Sequence, residues 1–214
     1  MKPMLIVISA PSGGGKSTLC DRLLQDYPET VYSVSCTTRQ PRGEEEDGVD
    51  YHFLDDEAFE RLVRQRAFLE HARVHDHSYG TLEAPVREAM AQGLSVIMDI
   101  DVNGAGQIRD AIAALPQDDP LHAGYLDIFI LPPSVEELRR RLESRGEDSA
   151  ATIERRIRNA QDELAQAGDF HYRVVNQDLD LAYRELCAIL EHAGCVAGPN
   201  NPPGRQAKPR KEAG

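Results

Sequence analysis

Three glycines ahead of a lysine and a hydroxyl residue mark the segment Ala10-Pro11-Ser12-Gly13-Gly14-Gly15-Lys16-Ser17. Glycines at that spacing let a tight turn aim its backbone N–H groups inward at an anion, and the helix that follows presents its positive end to the same point. In such a loop Lys16 reaches the β and γ phosphates of a nucleotide, the Ser17 hydroxyl is a ligand for Mg2+, and Thr18 contacts another phosphate. The strict pattern has glycine where this chain has Ala10. A purely structural turn is the competing reading. Context counts against it, because a buried strand leads into the loop and Lys-Ser-Thr opens a helix behind it.

A second group of candidates is acidic. Asp99 and Asp101 stand two apart at the end of an apolar run. If that run is a strand, both project from one face at the edge where open α/β sheets bind ligands. One of them can order Mg2+ through water; otherwise they are a solvated strand end or partners for arginines. A third group, Ser35, Arg39, Arg42 and Tyr51, lies in or beside a polar stretch, where two guanidiniums and a phenol can converge on a phosphate as forked donors. The alternative is a solvated loop in which the arginines pair with the acidic run Glu44 to Asp47. The seven histidines include no HExxH pair, and His71, His75 and His77 read as surface or packing residues.

Composition restricts what such groups can serve. The formal charge of −12 repels polyanions, so a general nucleic-acid or membrane-surface binder is excluded and any anionic ligand must meet a local basic site. Cys20, Cys36, Cys187 and Cys195 form no CxxC pair, and no secretory leader opens the chain, which points to a reducing cytoplasm. No apolar run approaches the ~20 residues of a membrane span.

The elements that must position these residues can be read from hydrophobic pattern. Leu5 to Ile8 is a continuous apolar run, expected to be a buried parallel strand, and STLCDRLLQ follows the glycine loop as a helix. Val31 to Cys36 is a shorter strand-like stretch, and TTRQPRGEEEDGVDYHF is an exposed loop. Phe59, Leu62 and Val63 give a short helical stripe; a helix around Val86 to Met90 ends at Gly93. Val96 to Ile100 and Leu126 to Leu131 are further core strands. Ser134 and Glu137 form a capping box for a helix carrying Val135, Leu138 and Leu142. Ile153, Ile157 and Leu164 stripe another helix, Tyr172 to Val175 is a late strand, and Leu186 and Leu190 anchor the last helix. From Gly198 onward proline, glycine and charge predict disorder. Alternating strands and helices predict an α/β fold, a parallel sheet with helices on both faces, interrupted by an insertion from about Ser33 to Gly93.

SVSCTTRQPRGEEEDGVDYHF closely resembles the nucleoside monophosphate segment of guanylate kinases, and FLEHARVHDHSYGT and VIMDIDVNG match that family's next blocks. The resemblance extends from the first strand to Tyr183. It implies a P-loop kinase core (1–32, 94–131 and 170–197), a GMP-binding insertion (33–93) and a helical lid (134–166). By resemblance, Ser35 and Glu70 read guanine, Arg39, Arg42, Tyr51 and Tyr79 hold the GMP phosphate, and Thr81 and Asp101 support the base or its neighbouring arginines. Physical chemistry agrees, since a carboxylate can accept from guanine N1–H and its 2-amino group, a donor pair that adenine lacks. Arg145 and Arg156 resemble lid arginines that close over ATP, whereas Arg139, Arg140, Arg141, Arg155 and Arg158 read as solvated faces or salt-bridge partners. Asn176 resembles a contact to the ATP base and is otherwise a strand-end turn residue. Ser78 departs from the family, standing where many members carry tyrosine. The implied reaction is Mg2+-dependent phosphorylation of GMP, with dGMP included, by ATP. A kinase for another phosphorylated ribose compound, or a guanylate-kinase-like protein-binding scaffold without turnover, are the alternatives.

Overall fold

The computed structural model describes residues 2–146 and 148–195, so the tail expectation from Gly198 lies outside the described residues. Strands β1 (Leu5–Ser9), β2 (Thr30–Tyr32), β7 (Ser95–Asp99), β8 (Tyr125–Leu131) and β9 (Tyr172–Val175) form one sheet in the order β2-β7-β1-β8-β9. Every pairing in it is parallel. All of β1 is buried, as a strand covered on both faces requires. Its alternation splits the core: Ile6 and Ile8 face α1 (Lys16–Asp26) and α8 (Leu179–His192) through Leu19, Leu23, Leu186 and Leu190. Leu5 and Val7 face the opposite layer, where α3 (Glu83–Ala91) and α4 (Val102–Ala113) supply Val86, Met90, Ala105 and Ile108.

Sequence pattern and structure part company in the middle of the chain. The strand expected over Val31 to Cys36 is two strands in two sheets, because β2 pairs with β7 while β3 (Cys36–Thr37) joins β4 (His52–Phe53), β6 (His77–Leu82) and β5 (Phe68–Val74). This second sheet has the order β4-β3-β6-β5, with β3–β6 and β5–β6 antiparallel and β3–β4 parallel. Helix α2 (Asp56–Arg64) lies within the same stretch, capped by the Asp55 carboxylate accepting from the Ala58 N–H. Asp101 does not share a strand with Asp99: β7 ends at Asp99, and Asp101 caps α4, its Oδ1 accepting from Gly104 N–H at 2.8 Å.

The segment after β8 is a helical pair, α6 (Val135–Arg145) and α7 (Ala150–Ala165), closed on a small core of Leu138, Leu142, Ile153 and Ile157. Ser134 caps α6 as expected, accepting from Glu137 N–H. The return half of the box is missing, because the Glu137 carboxylate is taken by Arg140 and Arg141. Helix α5 (Pro120–Ala123) completes the set, and among the described residues no helix is long and apolar enough to cross a membrane.

Candidate active site

The glycine loop joins the buried β1 to α1, and its conformation explains its composition. Gly13 (φ 84°) and Gly15 (φ 88°) occupy the left-handed region, where a side chain is strained. A Cβ on Gly14 would lie 2.9 Å from the Pro11 carbonyl oxygen, which accepts from Gly14 N–H at 2.8 Å. Ala10 is not among the positive-φ residues, and its buried methyl joins the core beneath the loop, so the departure from glycine carries no backbone cost. Among the described α-helices only α1 and α3 begin without a side-chain cap, so no capping side chain meets the first-turn N–H groups of α1. Lys16 opens α1, and the half-buried Ser17 and exposed Thr18 sit in its first turn. Lys16 Nζ lies 2.5 Å from Asp99 Oδ1 and donates to the Ile100 carbonyl at 3.1 Å. The C-terminal end of β7 thus holds the ammonium beside the loop.

A second constellation forms in the smaller sheet. Glu70 and Thr81 are directly paired across β5 and β6. The buried Thr81 hydroxyl donates to Glu70 Oε1 at 2.8 Å and lies 3.2 Å from Ser35 Oγ, giving a Ser35–Thr81–Glu70 chain. Burial pushes the Glu70 carboxyl up from its ordinary range, the Thr81 hydrogen bonds oppose this, and the Asp101 charge adds to it. A Cβ on Gly104 would approach Glu70 Oε2 to 3.3 Å, a tight contact, so glycine there eases the packing of α4 against Glu70.

Arg39 is buried, 4% exposed, and ringed by Tyr51 (5.3 Å from its guanidinium carbon) and Phe53. Its terminal nitrogens donate to both Glu45 oxygens at 2.9 Å, which pushes the guanidinium pKa further up. The pairing with the acidic run is present, with Arg39 buried and Glu45 partly exposed. Arg39 Nε remains buried without a partner. Tyr79 packs edge-on against Tyr51 at 6.1 Å. The Arg42 side chain is exposed while its N–H donates to Glu45 Oε2 at 2.8 Å.

Of the two arginines expected to close over ATP, Arg156 pairs with Asp148 at 3.2 Å, and the Arg145 side chain lies outside the described residues. Arg139 pairs with Glu154, and Arg140 and Arg141 with Glu137. Asn176, 4% exposed, sits behind the glycine loop with its Nδ2 donating to Gly14 O at 2.8 Å. Sequence reasoning passed over Glu163 of α7. Burial pushes its carboxyl up to about 7, with Lys16 opposing and Asp101 reinforcing, and its Oε2 is buried without a partner. It passed over Glu45 as a specific partner and over Gly104 too; only charge in the polar loop hinted at the former.

The guanylate kinase family model matches residues 2–193. The chain belongs to the guanylate kinase family. It is 48% identical over 190 residues to the guanylate kinase of Anaeromyxobacter dehalogenans, covering 88% of this chain and 80% of that one. It is 44% identical over 194 residues to the guanylate kinase of Syntrophotalea carbinolica, covering 91% and 88%. The crystal structure of guanylate kinase from Anaplasma phagocytophilum superposes with a TM-score of 0.65 at 30% identity, over 89% of this chain and 85% of that one. The two constellations lie apart in the fold: the glycine loop with Lys16 at the C-terminal end of the parallel sheet, and Ser35, Thr81 and Glu70 in the smaller sheet.

Proposed function

We propose that this chain transfers the γ-phosphoryl group of ATP to GMP, forming ADP and GDP, and that it accepts dGMP. The observation that carries this reading is the Ser35–Thr81–Glu70 chain, buried at Thr81 and Glu70, with Gly104 of α4 and its cap Asp101 packed beside it just after the strand end that holds Lys16. Glu70 accepts from guanine N1–H and the 2-amino group, and Ser35 donates to O6. Arg39, Arg42, Tyr51 and Tyr79 hold the GMP phosphate, and Thr81 and Asp101 keep the reader in place. These contacts touch base and phosphate, not the 2′ position, which is why dGMP is included.

On the donor side, residues 10–18 wrap the phosphates with backbone N–H groups, and Lys16 exchanges Asp99 for the β and γ phosphates. The Ser17 hydroxyl and, through water, Asp99 or Asp101 are hard oxygen donors that would suit Mg2+. The bound ion supplies positive charge against the donor phosphates. A GMP phosphate oxygen forms the new bond to γ-phosphorus as the bond to the β–γ bridging oxygen breaks, its electrons leaving with ADP. Because the second phosphate pKa is about 6, that oxygen is already largely ionised at neutral pH and needs no general base. Lys16, Arg42, Arg145 and Arg156 stabilise the spreading charge, and closure of the insertion (33–93) and lid (134–166) over the core excludes water. The free thiols Cys20, Cys36, Cys187 and Cys195 suit a reducing cytoplasm.

The test is an ADP-release assay with ATP and Mg2+, comparing GMP with AMP for the wild type and Glu70→Ala. GMP-dependent ADP release that Glu70→Ala abolishes is the expected outcome. An unchanged preference for GMP in the variant overturns the assignment of Glu70.

A further inference from the structure

Asn176 immediately follows β9 and is anchored three ways. Its N–H donates to the Leu131 carbonyl at the end of β8 (2.7 Å), its carbonyl accepts from Arg141 Nη2 of α6 (2.9 Å), and its side-chain Nδ2 donates to the Gly14 carbonyl (2.8 Å). The side chain is 4% exposed, so it is enclosed behind the loop and not presented to a ligand. A Cβ on Gly15 would lie 2.2 Å from Nδ2, so the amide also fills the space that a side chain there would occupy.

The consequence follows from the geometry of one peptide bond. A trans peptide is planar, with its C=O and N–H pointing in opposite directions. The Gly14 carbonyl and the Gly15 N–H belong to the same plane, so holding the carbonyl at the back of the loop aims the N–H to the front. Neighbouring glycines leave that plane free to flip, which would turn a carbonyl lone pair, in place of a donor, toward a phosphate. We infer that Asn176 is a positioning residue for the phosphate loop, locking the Gly14–Gly15 peptide so that its N–H faces a polyphosphate, and that it acts without touching the nucleotide base. Arg141 extends the lock to α6, whose Leu138 and Leu142 come within 3.2 Å of a Cβ built on Gly13. This inference rests on the ATP-donor reading above.

The experiment measures binding of inorganic tripolyphosphate, of adenosine and of ATP by calorimetry to the full chain and its Asn176→Ala and Asn176→Asp variants. Losing the single side-chain hydrogen bond weakens tripolyphosphate and ATP by a similar factor, about tenfold, and leaves adenosine unchanged. Asn176→Asp keeps the shape but sets a carboxylate against the Gly14 carbonyl. Its tripolyphosphate deficit relative to wild type is therefore largest at pH 8 and shrinks toward pH 5, where a protonated carboxyl donates again. That recovery would not follow from a merely structural defect. Weakened adenosine binding with intact tripolyphosphate binding, or no change in either, overturns the inference while leaving the kinase reading standing. A wild-type chain that binds neither ATP nor tripolyphosphate removes both.

Discussion

Replacing Glu70 by Gln is the perturbation that separates base recognition from folding. The side chain is 8% exposed and receives the Thr81 hydroxyl at 2.8 Å, a bond that a glutamine oxygen can also accept. The swap is nearly isosteric and removes a carboxyl whose charged form burial already disfavours. Fold stability should change by less than about 1 kcal/mol. Recognition has no such escape. A carboxylate offers guanine two acceptors, whereas the amide offers one acceptor and sets an N–H against a guanine donor. A charge-assisted hydrogen bond is worth about 1.5–3 kcal/mol, and the donor–donor meeting adds to its loss, so the total is about 2–4 kcal/mol. At 1.36 kcal/mol per decade this lowers kcat/KM for GMP by roughly 30- to 1000-fold. Steady-state ADP release, run beside thermal unfolding, reads both quantities. A variant with unchanged Tm and GMP kcat/KM within threefold of wild type would refute the role given to Glu70.

Glu163 sets a pH dependence. Its folded-state carboxyl is raised to about 7 from an ordinary value of 4.5, so the folded state binds more protons between those limits and stability falls as pH rises through them. Glu163→Gln removes that penalty. After allowance for solvent screening, it should gain about 1–2 kcal/mol over wild type at pH 8 that is absent at pH 4.5, in urea melts. Asp127 is fully buried and accepts from His171 N–H (2.8 Å), Tyr125 Oη (2.9 Å) and Arg109 Nη2 (2.9 Å). Burial alone would raise its pKa, but those bonds hold it below the usual range, so its stabilising contribution is lost as pH falls. Asp127→Ala should cost about 3–5 kcal/mol in urea denaturation, and a loss under 1 kcal/mol would contradict that network's role. Gly15→Ala meets a left-handed φ and the Asn176 amide together, and should lose ATP binding by tenfold or more in calorimetry.

The loop and its strand were legible because their signals are local: a buried apolar run, glycines where φ is positive, and Lys-Ser-Thr at a helix start. The smaller sheet was not. Strands as short as Cys36–Thr37 and His52–Phe53 are too brief to show a period of two, and the pairing of Cys36–Thr37 to Tyr79 and Gly80 on one side and to His52–Phe53 on the other is set by contacts across the fold. Helix α4 does not show in the pattern because Asn103, Gly104 and Gly106 weaken helix propensity at its start, yet Gly104 eases the close approach of α4 to Glu70. Asp101 looked like a strand residue by spacing from Asp99 and is a helix cap. Arg39 could be foreseen either on a phosphate or on the acidic run; the structure shows the second, with both terminal nitrogens on Glu45.

If the glycine loop holds ATP phosphates and Glu70 reads guanine, the two must serve one reaction. The most direct measurement is product analysis after incubating the purified chain with γ-labelled ATP, Mg2+ and either GMP or AMP. Label appearing in GDP, with at least about a thousandfold less in ADP formed from AMP, is what the buried Glu70 reader predicts. Label that stays in ATP with GMP present, or passes equally to AMP, would contradict the account.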